Sequence, residues 1–295
     1  MISIESRDVQ VAANVATDIG EGPTWDAQTN SLVFVDSTPG RIYRYRPAVD
    51  TLSSFCVGQA VGAAIPRRSG GLVAAMRDGI ALIDEAGASF SIIAPIEADM
   101  PHHRMNDAKC DSRGRLWAGT MSEHYTKGAG SLYRIDPDYR VTRVVPGISI
   151  SNGIAWSPDD KRMYYVDSGA RSVDVFDFDI DAGLPTNRSR LITLDRSGPL
   201  PDGVTVDADG HLWLAIFRGG AVRRYTPSGE HVGTISLPVS QVASCAFGGP
   251  DLADLYITSV RFTMSAQQLE NEPLSGALFR CRPGVRGLPA HSFAG

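Results

Sequence analysis

The stretch Ser151–Ser168 reads SNGIAWSPDDKRMYYVDS, and it decides the fold because its outline returns along the chain. An Asn-Gly pair opens it, a short apolar run follows, a polar turn comes next, and a second apolar run ends on small or polar residues. The same outline begins at three other places, namely EGPTWDAQTNSLVFVDS from Glu21, NDAKCDSRGRLWAGT from Asn106 and DGVTVDADGHLWLAIF from Asp202. We interpret each copy as one blade of a ring.

Two further copies begin near Val61 and Ser244, so that six heads recur at a spacing of roughly 40 to 50 residues, the period of four-stranded propeller blades. A helical solenoid would instead show a 3.6-residue apolar period, which the chain lacks. The last copy is one strand short, and an alternating segment near Ser3 to Val15 predicts the strand that completes it. We therefore predict an all-β fold. It is a six-bladed β-propeller with blades of four antiparallel strands, closed by the N-terminal strand and forming a single domain over residues 1–295.

Composition narrows the classes of partner. The formal net charge of −5 offers no basic face for phosphate backbones, so we expect no nucleic-acid partner. The segment around Glu5, Arg7 and Asp8 is too charged for a secretory signal, and no later stretch approaches a membrane span. We expect a cytoplasmic protein without a membrane partner. Ring closure minimises exposed strand edges, which favours a monomer.

The heads of four copies carry an oxygen-bearing side chain. Propeller geometry brings the entries of the innermost strands together around the axis, so we expect these side chains to converge. Carboxylate and amide oxygens are the ligands of hard cations such as calcium, magnesium or manganese, and two negative charges would balance one divalent cation. The predicted metal ligands are Glu21, Asn106, Asn152 and Asp202.

Each position also has a plainer interpretation, because Asn-Gly and Asp-Gly pairs are common turn formers. The recurrence at one repeat position favours the metal site. The VDADG segment that contains Asp207 superficially resembles a calcium-binding loop, but Leu212 occupies the place of its glycine, and we predict a hairpin turn there.

Two charged residues close to Asn106 are candidates for substrate binding. Arg104 lies two residues before Asn106, so alternation along an extended chain places both side chains on one face. Glu123 follows in an insertion on the same end of the ring. Each is either a hydroxyl-binding group or an ordinary surface charge. We interpret His102, His103 and His124 as rim or wall residues.

The chain has no G-x-S-x-G nucleophile motif, no P-loop and no dinucleotide fingerprint. The chemistry most compatible with an oxygen-ligated cation is hydrolysis promoted by a Lewis acid. Asp202 is the predicted catalytic base, and Glu21 is a ligand that balances charge.

Several motifs, in order, resemble those of the senescence-marker-protein/gluconolactonase (regucalcin-like) family over nearly the whole chain. They are GEGPTWD, RMNDAKCDSRGRLWAGTMSE, ISNGIAWSPDDKRMYYVDS, PDGVTVDADGHLWLA, SCAFGG and SFAG. The resemblance implies a six-bladed propeller, one divalent cation and hydrolysis of aldonolactones such as gluconolactone to aldonic acids. Calcium is the cation we expect first, with zinc, manganese or magnesium as alternatives.

Carried onto matching positions, the resemblance implies metal ligands at Glu21, Asn152 and Asp202, with Asn106 at or beside the metal. Asp202 also matches the proposed base. Substrate contacts fall on Arg104, Asn106 and Glu123. One departure is Ala108, which stands where glycine is common in the family.

Two rival functions remain open. The same cation could promote hydrolysis of organophosphorus esters, or the chain could bind calcium in a regulatory role without turnover. The pairing of a complete ligand set with Arg104 and Glu123 favours the lactonase, because a simple calcium binder needs no pocket for hydroxyl groups.

Overall fold

The computed structural model describes residues 2–84 and 89–295, which form six β-sheets arranged as the blades of a propeller. The N-terminal segment contributes β1 (Ile2–Ile4), a short 3-10 turn at Ser6–Asp8 and β2 (Gln10–Ala13). Blade 1 contains β3 (Gly20–Asp26), β4 (Ser31–Asp36), β5 (Arg41–Arg46) and β6 (Thr51–Cys56). Blade 2 contains β7 (Val61–Pro66), β8 (Leu72–Met76), β9 (Gly79–Ile83) and β10 (Phe90–Pro95). Blade 3 contains β11 (His103–Cys110), β12 (Leu116–Ser122), β13 (Gly130–Ile135) and β14 (Val141–Ile148).

The remaining blades follow the same plan. Blade 4 contains β15 (Ser151–Trp156), β16 (Arg162–Asp167), β17 (Ser172–Asp179) and β18 (Leu184–Thr193). Blade 5 contains β19 (Leu200–Val206), β20 (Leu212–Phe217), β21 (Ala221–Tyr225) and β22 (His231–Ser236). Blade 6 contains β23 (Val242–Gly248), β24 (Asp254–Ser259) and β25 (Leu278–Cys281), with the short helix α1 (Ala266–Asn271) between the last two strands. No helix in the described part of the chain has the length and hydropathy that a membrane span requires.

The N-terminal segment confirms the predicted ring closure and corrects its detail. Strand β2 pairs antiparallel with β25 and completes blade 6. The predicted single strand from Ser3 to Val15 is instead two strands, because the 3-10 turn at Ser6–Asp8 interrupts it. Strand β1 pairs in parallel with β22, so it adds a fifth strand outside the four antiparallel strands of blade 5. Ile2 and Ile4 pack against the core between blades 5 and 6, which gives this extra strand its apolar contacts.

Burial follows the distance of each strand from the axis. The first strands of the blades (β3, β7, β11, β15, β19 and β23) pack beside one another around the central channel. Strand β4 is buried at every position because its sheet is covered on both faces, whereas β6 on the outside of the same blade is mostly exposed. Between blades 3 and 4, Trp117 packs edge-on against Trp156 and Phe178. Truncating a buried tryptophan of this kind to alanine typically costs about 3–5 kcal/mol.

Candidate metal and substrate site

The first strand of every blade departs from regular pairing near its beginning. In blade 4 the register shifts between Ser151 and Ile154, and in blade 5 it shifts between Pro201 and Val204. The first strands of the other four blades carry the same irregularity, with shifts at 21/24, 61/63, 105/108 and 242/244. The four predicted ligands lie at such shifts, where the chain leaves the ladder and can turn a side chain towards the axis.

The Asn-Gly and Asp-Gly pairs therefore lie inside strands β15 and β19, and the alternative interpretation as turns is wrong. Their glycines are needed for close approach of neighbouring blades. A Cβ atom on Gly153 would lie 2.7 Å from the carbonyl oxygen of Asp202, and a Cβ atom on Gly62 in blade 2 would lie 1.7 Å from the carbonyl oxygen of Asn106. Any side chain there would separate the inner strands.

A chain of hydrogen bonds orients the carboxamide of Asn152. The Ser168 hydroxyl donates to the carbonyl oxygen of Pro201 at 2.6 Å, and its oxygen accepts from Asn152 Nδ2 at 2.8 Å. With the amide nitrogen held on that side, Asn152 Oδ1 faces the neighbouring blade and accepts from Asn106 Nδ2 at 2.9 Å. Asn106 Oδ1 in turn accepts from Arg104 at 2.7 Å. The two ends of the opening stretch SNGIAWSPDDKRMYYVDS thus meet at this site.

Two buried carboxylates complete the group. Glu21 is 9% exposed and Asp202 is 7% exposed. Burial, followed by the charge of Asp107, raises the pKa of Glu21 to about 8, although the N–H of Gly22 and the charge of Arg104 oppose the shift. Burial and then the charge of Glu21 raise the pKa of Asp202 well above its ordinary value. Asp202 Oδ1 is buried and has no hydrogen-bond partner among the residues that the structure describes.

These features fit a bound cation. An orphaned buried carboxylate oxygen and two like charges held close together are costly unless a positive charge compensates them. The set of two carboxylates and a neighbouring carboxamide is typical of hard divalent cations. Asn106 contributes its amide N–H groups to Asn152 and to the carbonyl oxygen of Ser151, so in this structure it positions Asn152.

A third buried carboxylate, Asp107, escaped the sequence argument. Burial raises the pKa of Asp107, and the charge of Lys109 opposes this rise. The charge of Asp107 in turn raises the pKa values of Glu21 and Asp202. Lys109 Nζ donates to the carbonyl oxygen of Val204 at 2.8 Å, so this side chain reaches from blade 3 to blade 5. The signal was present in the sequence, because the third copy reads Asn-Asp where the fourth reads Asn-Gly.

The predicted substrate contacts lie at the same end of the ring. The hydrogen bond between Arg104 and Asn106 confirms that these two side chains share one face. Glu123 forms an ion pair with Arg77 of blade 2, with both nitrogen–oxygen distances at 3.2 Å, and Arg77 also donates to the carbonyl oxygen of Pro101. Arg77 was not anticipated, since its partner lies 46 residues away in another blade. The rings of His102 and His124 contact each other at a tilt of 51°, with centroids 4.3 Å apart.

A second acidic cluster, formed by Asp207, Asp209 and His211, lies elsewhere in blade 5. It is the predicted hairpin turn between β19 and β20. Asp207 Oδ1 accepts from the backbone N–H groups of Asp209 and His211, and Oδ2 accepts from Trp213 Nε1 at 2.9 Å and from Arg224 at 2.7 Å. The guanidinium of Arg224 supplies the positive charge here, so this carboxylate is a structural anchor for the turn. Asp111 makes the equivalent contacts with Arg115 and Trp117 in blade 3.

Comparison with known proteins agrees with the fold and the motifs. The family model described as SMP-30/Gluconolactonase/LRE-like region matches residues 19–261. Regucalcin from Xenopus laevis is 35% identical over 299 residues, covering 99% of this chain and all of the relative. A crystal structure of a calcium-binding protein, regucalcin, from Agrobacterium tumefaciens superposes with a TM-score of 0.94 at 28% identity, covering 99% of both chains. The structure of a luciferin-regenerating enzyme superposes with a TM-score of 0.90 at 32% identity, covering 97% of this chain and 99% of the other. The chain belongs to the SMP-30/gluconolactonase/LRE-like family.

Proposed function

We propose that this protein hydrolyses sugar lactones, namely aldonolactones such as gluconolactone, to aldonic acids, and that the reaction depends on one divalent cation. The observation that carries the proposal is the pairing of two different groups at one end of the channel. Two buried carboxylates and an oriented carboxamide oxygen lie beside Arg104, Asn106 and Glu123, which can bind hydroxyl groups. Membership of a family whose description includes gluconolactonase supports the same substrate class.

Glu21, Asn152 and Asp202 would hold the cation, with Asn106 at or beside it. Calcium is the first expectation because all the donors are oxygens, and zinc, manganese and magnesium are the alternatives to be tested. When bound, the cation would supply Lewis acidity and lower the pKa of water. The charge of Lys109 also acts on Asp107, where it opposes the rise in pKa that burial causes.

Asp202 takes the proton of the attacking water. Within residues 2–84 and 89–295 its Oδ1 atom has no hydrogen-bond partner, which makes it the available acceptor. Burial and the charge of Glu21 raise the pKa of Asp202, so this carboxylate binds a proton more strongly than an ordinary aspartate does. Glu21 is held by the N–H of Gly22 at 3.2 Å and serves to balance charge.

The hydroxyl groups of the lactone bind at the rim. Arg104 and Asn106 donate hydrogen bonds, and Glu123 accepts them. Arg77 donates hydrogen bonds from two nitrogens to the Glu123 carboxylate and another to the carbonyl oxygen of Pro101, so it positions Glu123 at this end of the channel. Buried polar groups that are satisfied only by a hydroxylated ligand discriminate strongly against ligands that lack the hydroxyl.

Acid release measured in a pH-stat tests the proposal. The purified full-length chain is first treated with chelator and then supplied with calcium, zinc, manganese or magnesium. Substrates are gluconolactone, galactonolactone, xylonolactone and arabinonolactone, with an organophosphate panel alongside, and the spontaneous opening of each lactone is subtracted. We expect cation-dependent turnover of lactones. Calcium binding without acid release would instead identify a regulatory binder, and faster turnover of the organophosphates would identify a phosphorus-ester hydrolase.

A further inference from the structure

The channel has a second chamber at its opposite end. The first strands carry the candidate metal ligands near their beginning, and they end around a cavity of about 230 Å³. Most of the lining is apolar and includes Ile65, Ala155, Val206 and Leu288, and Lys109 lies among the lining residues. None of the candidate metal ligands lines this chamber, which we call the lower cavity.

The C-terminal segment 285–295, here called the strap, crosses this end of the ring. It is fixed at one side by hydrogen bonds from Ala208 N to Arg286 O and from Gly287 N to Leu252 O, both at 2.8 Å. At the other side Phe293 is fully buried against blades 2 and 3, and its N–H donates to Pro66 O at 2.9 Å. Residues 288–291, between these anchors, line the lower cavity. The strap therefore covers the cavity without filling it.

Lys109 separates the lower cavity from the metal end of the channel. Its side chain spans from β11 to β19, where Nζ donates to the carbonyl oxygen of Val204. An ammonium group carries three N–H donors, and the contact with Val204 uses one of them. Burial lowers the pKa of Lys109, and the charge of the neighbouring Asp107 opposes this shift. The cavity thus has a lysine donor at its inner end and a mainly apolar lining.

The carboxylate that lines the cavity, Asp160, already has a hydrogen-bond partner. It accepts from the Ser112 hydroxyl at 2.6 Å, and its charge acts on the imidazole of His291 in the strap. Both partners lie at the strap side of the chamber, away from the Lys109 end. An anion at the inner end therefore meets Lys109 as its nearest cation.

We propose that the lower cavity binds a small aromatic carboxylate, with its carboxylate on Lys109 and its ring against the apolar part of the lining. The volume suits one ring with one polar group, since an engineered apolar cavity of about 150 Å³ already binds benzene. A mainly apolar pocket with a few well-placed polar groups is the usual form of a small-molecule site. The site is distinct from the lactone site and does not depend on it.

Isothermal titration of the calcium-loaded full-length chain with benzoate tests this inference. We expect saturable binding that is about tenfold or more tighter than the binding of toluene, because hydrogen bonds to a charged group contribute at least that factor. Lys109→Met should weaken benzoate binding about tenfold or more. The matched control is Arg104→Met, the same substitution at the other end of the channel, which should leave the benzoate Kd unchanged.

A second variant keeps Lys109 and therefore tests the cavity even if Lys109→Met disturbs the fold. Ala290 lines the cavity from an exposed position of the strap, so Ala290→Phe should fill the chamber and abolish binding while the thermal midpoint stays near that of the wild type. Repeating the titration with chelator should not change the wild-type Kd. The inference is overturned if benzoate does not bind saturably, if both variants bind it as tightly as the wild type, or if binding is lost with Arg104→Met or with chelator.

Discussion

The first strands of blades 2 and 5 share one backbone and differ in chemistry. Both are interrupted by a register shift, and both carry a glycine against the next blade, Gly62 in β7 and Gly203 in β19. The residue before that glycine is Val61 in blade 2 and Asp202 in blade 5. The valine is fully buried in an apolar cluster, whereas one buried oxygen of the aspartate has no partner in the described part of the chain. The framework that brings the strands together is therefore independent of the side chains that would bind the cation.

The largest effects are expected when the residue before the glycine is replaced by alanine, once in each of the two strands. Asp202→Ala should lower kcat for lactone hydrolysis by about 10²–10⁴-fold, the usual contribution of a general base, and should also weaken cation binding. The thermal midpoint of the cation-free variant should not fall, because a buried charge that repels Glu21 has been removed. The matched substitution Val61→Ala should do the reverse, leaving kcat intact and lowering the unfolding free energy by about 1–3 kcal/mol. Equal loss of activity in both variants would contradict the separation.

The orientation of Asn152 offers a second test. Ser168→Ala removes the hydroxyl that accepts from Asn152 Nδ2, so the carboxamide loses the contact that keeps its oxygen facing the site. Cation affinity measured by calorimetry should fall about 10–100-fold, as is typical when a group that orients a metal ligand is lost. A control is Ser157→Ala, a hydroxyl at the other end of blade 4 that contacts Asp159. If Ser168→Ala binds the cation as tightly as the wild type, Asn152 is not held in the way described.

The close packing of the inner strands can be disturbed without changing a candidate metal ligand. Gly62→Ala places a methyl group 1.7 Å from the carbonyl oxygen of Asn106, so the inner strands must move apart. We expect a loss of about 1–3 kcal/mol in the free energy of unfolding, measured by urea denaturation. Gly198→Ala is the control, since its nearest neighbours would be 3.7 Å away and its backbone conformation is ordinary. A Gly62→Ala protein as stable as this control would mean that close approach of the strands is not required.

The pH dependence of stability provides a fourth test. The pKa of Glu21 rises from 4.5 to about 8 on folding, so between these values the folded state holds more protons than the unfolded state. The unfolding free energy of the cation-free protein should therefore fall as the pH rises across this window. Glu21→Gln should flatten the slope, and saturating calcium should do the same because the cation takes the place of the proton. A wild-type slope unchanged by this substitution would show that Glu21 ionises normally.

The parts of the molecule that repeat were the parts that could be predicted from sequence. Six blades and the closing role of the N-terminal segment followed from the period, because each blade must rebuild the same strands and turns. Strand β1 could not be anticipated, since its parallel pairing with β22 depends on tertiary contacts of Ile2 and Ile4. The four heads were visible because they recur. Asp107, Arg77 and Ser168 were missed because each acts through a partner on another strand or blade.

The account depends on buried oxygen donors that meet at one end of a channel and hold a cation needed for hydrolysis. The most direct measurement follows acid release from gluconolactone by the chelator-treated protein, before and after one equivalent of calcium is added. We predict release no faster than the spontaneous opening of the lactone before the addition, and cation-dependent turnover after it. A chelated protein that already opens the lactone at the full rate would contradict the account.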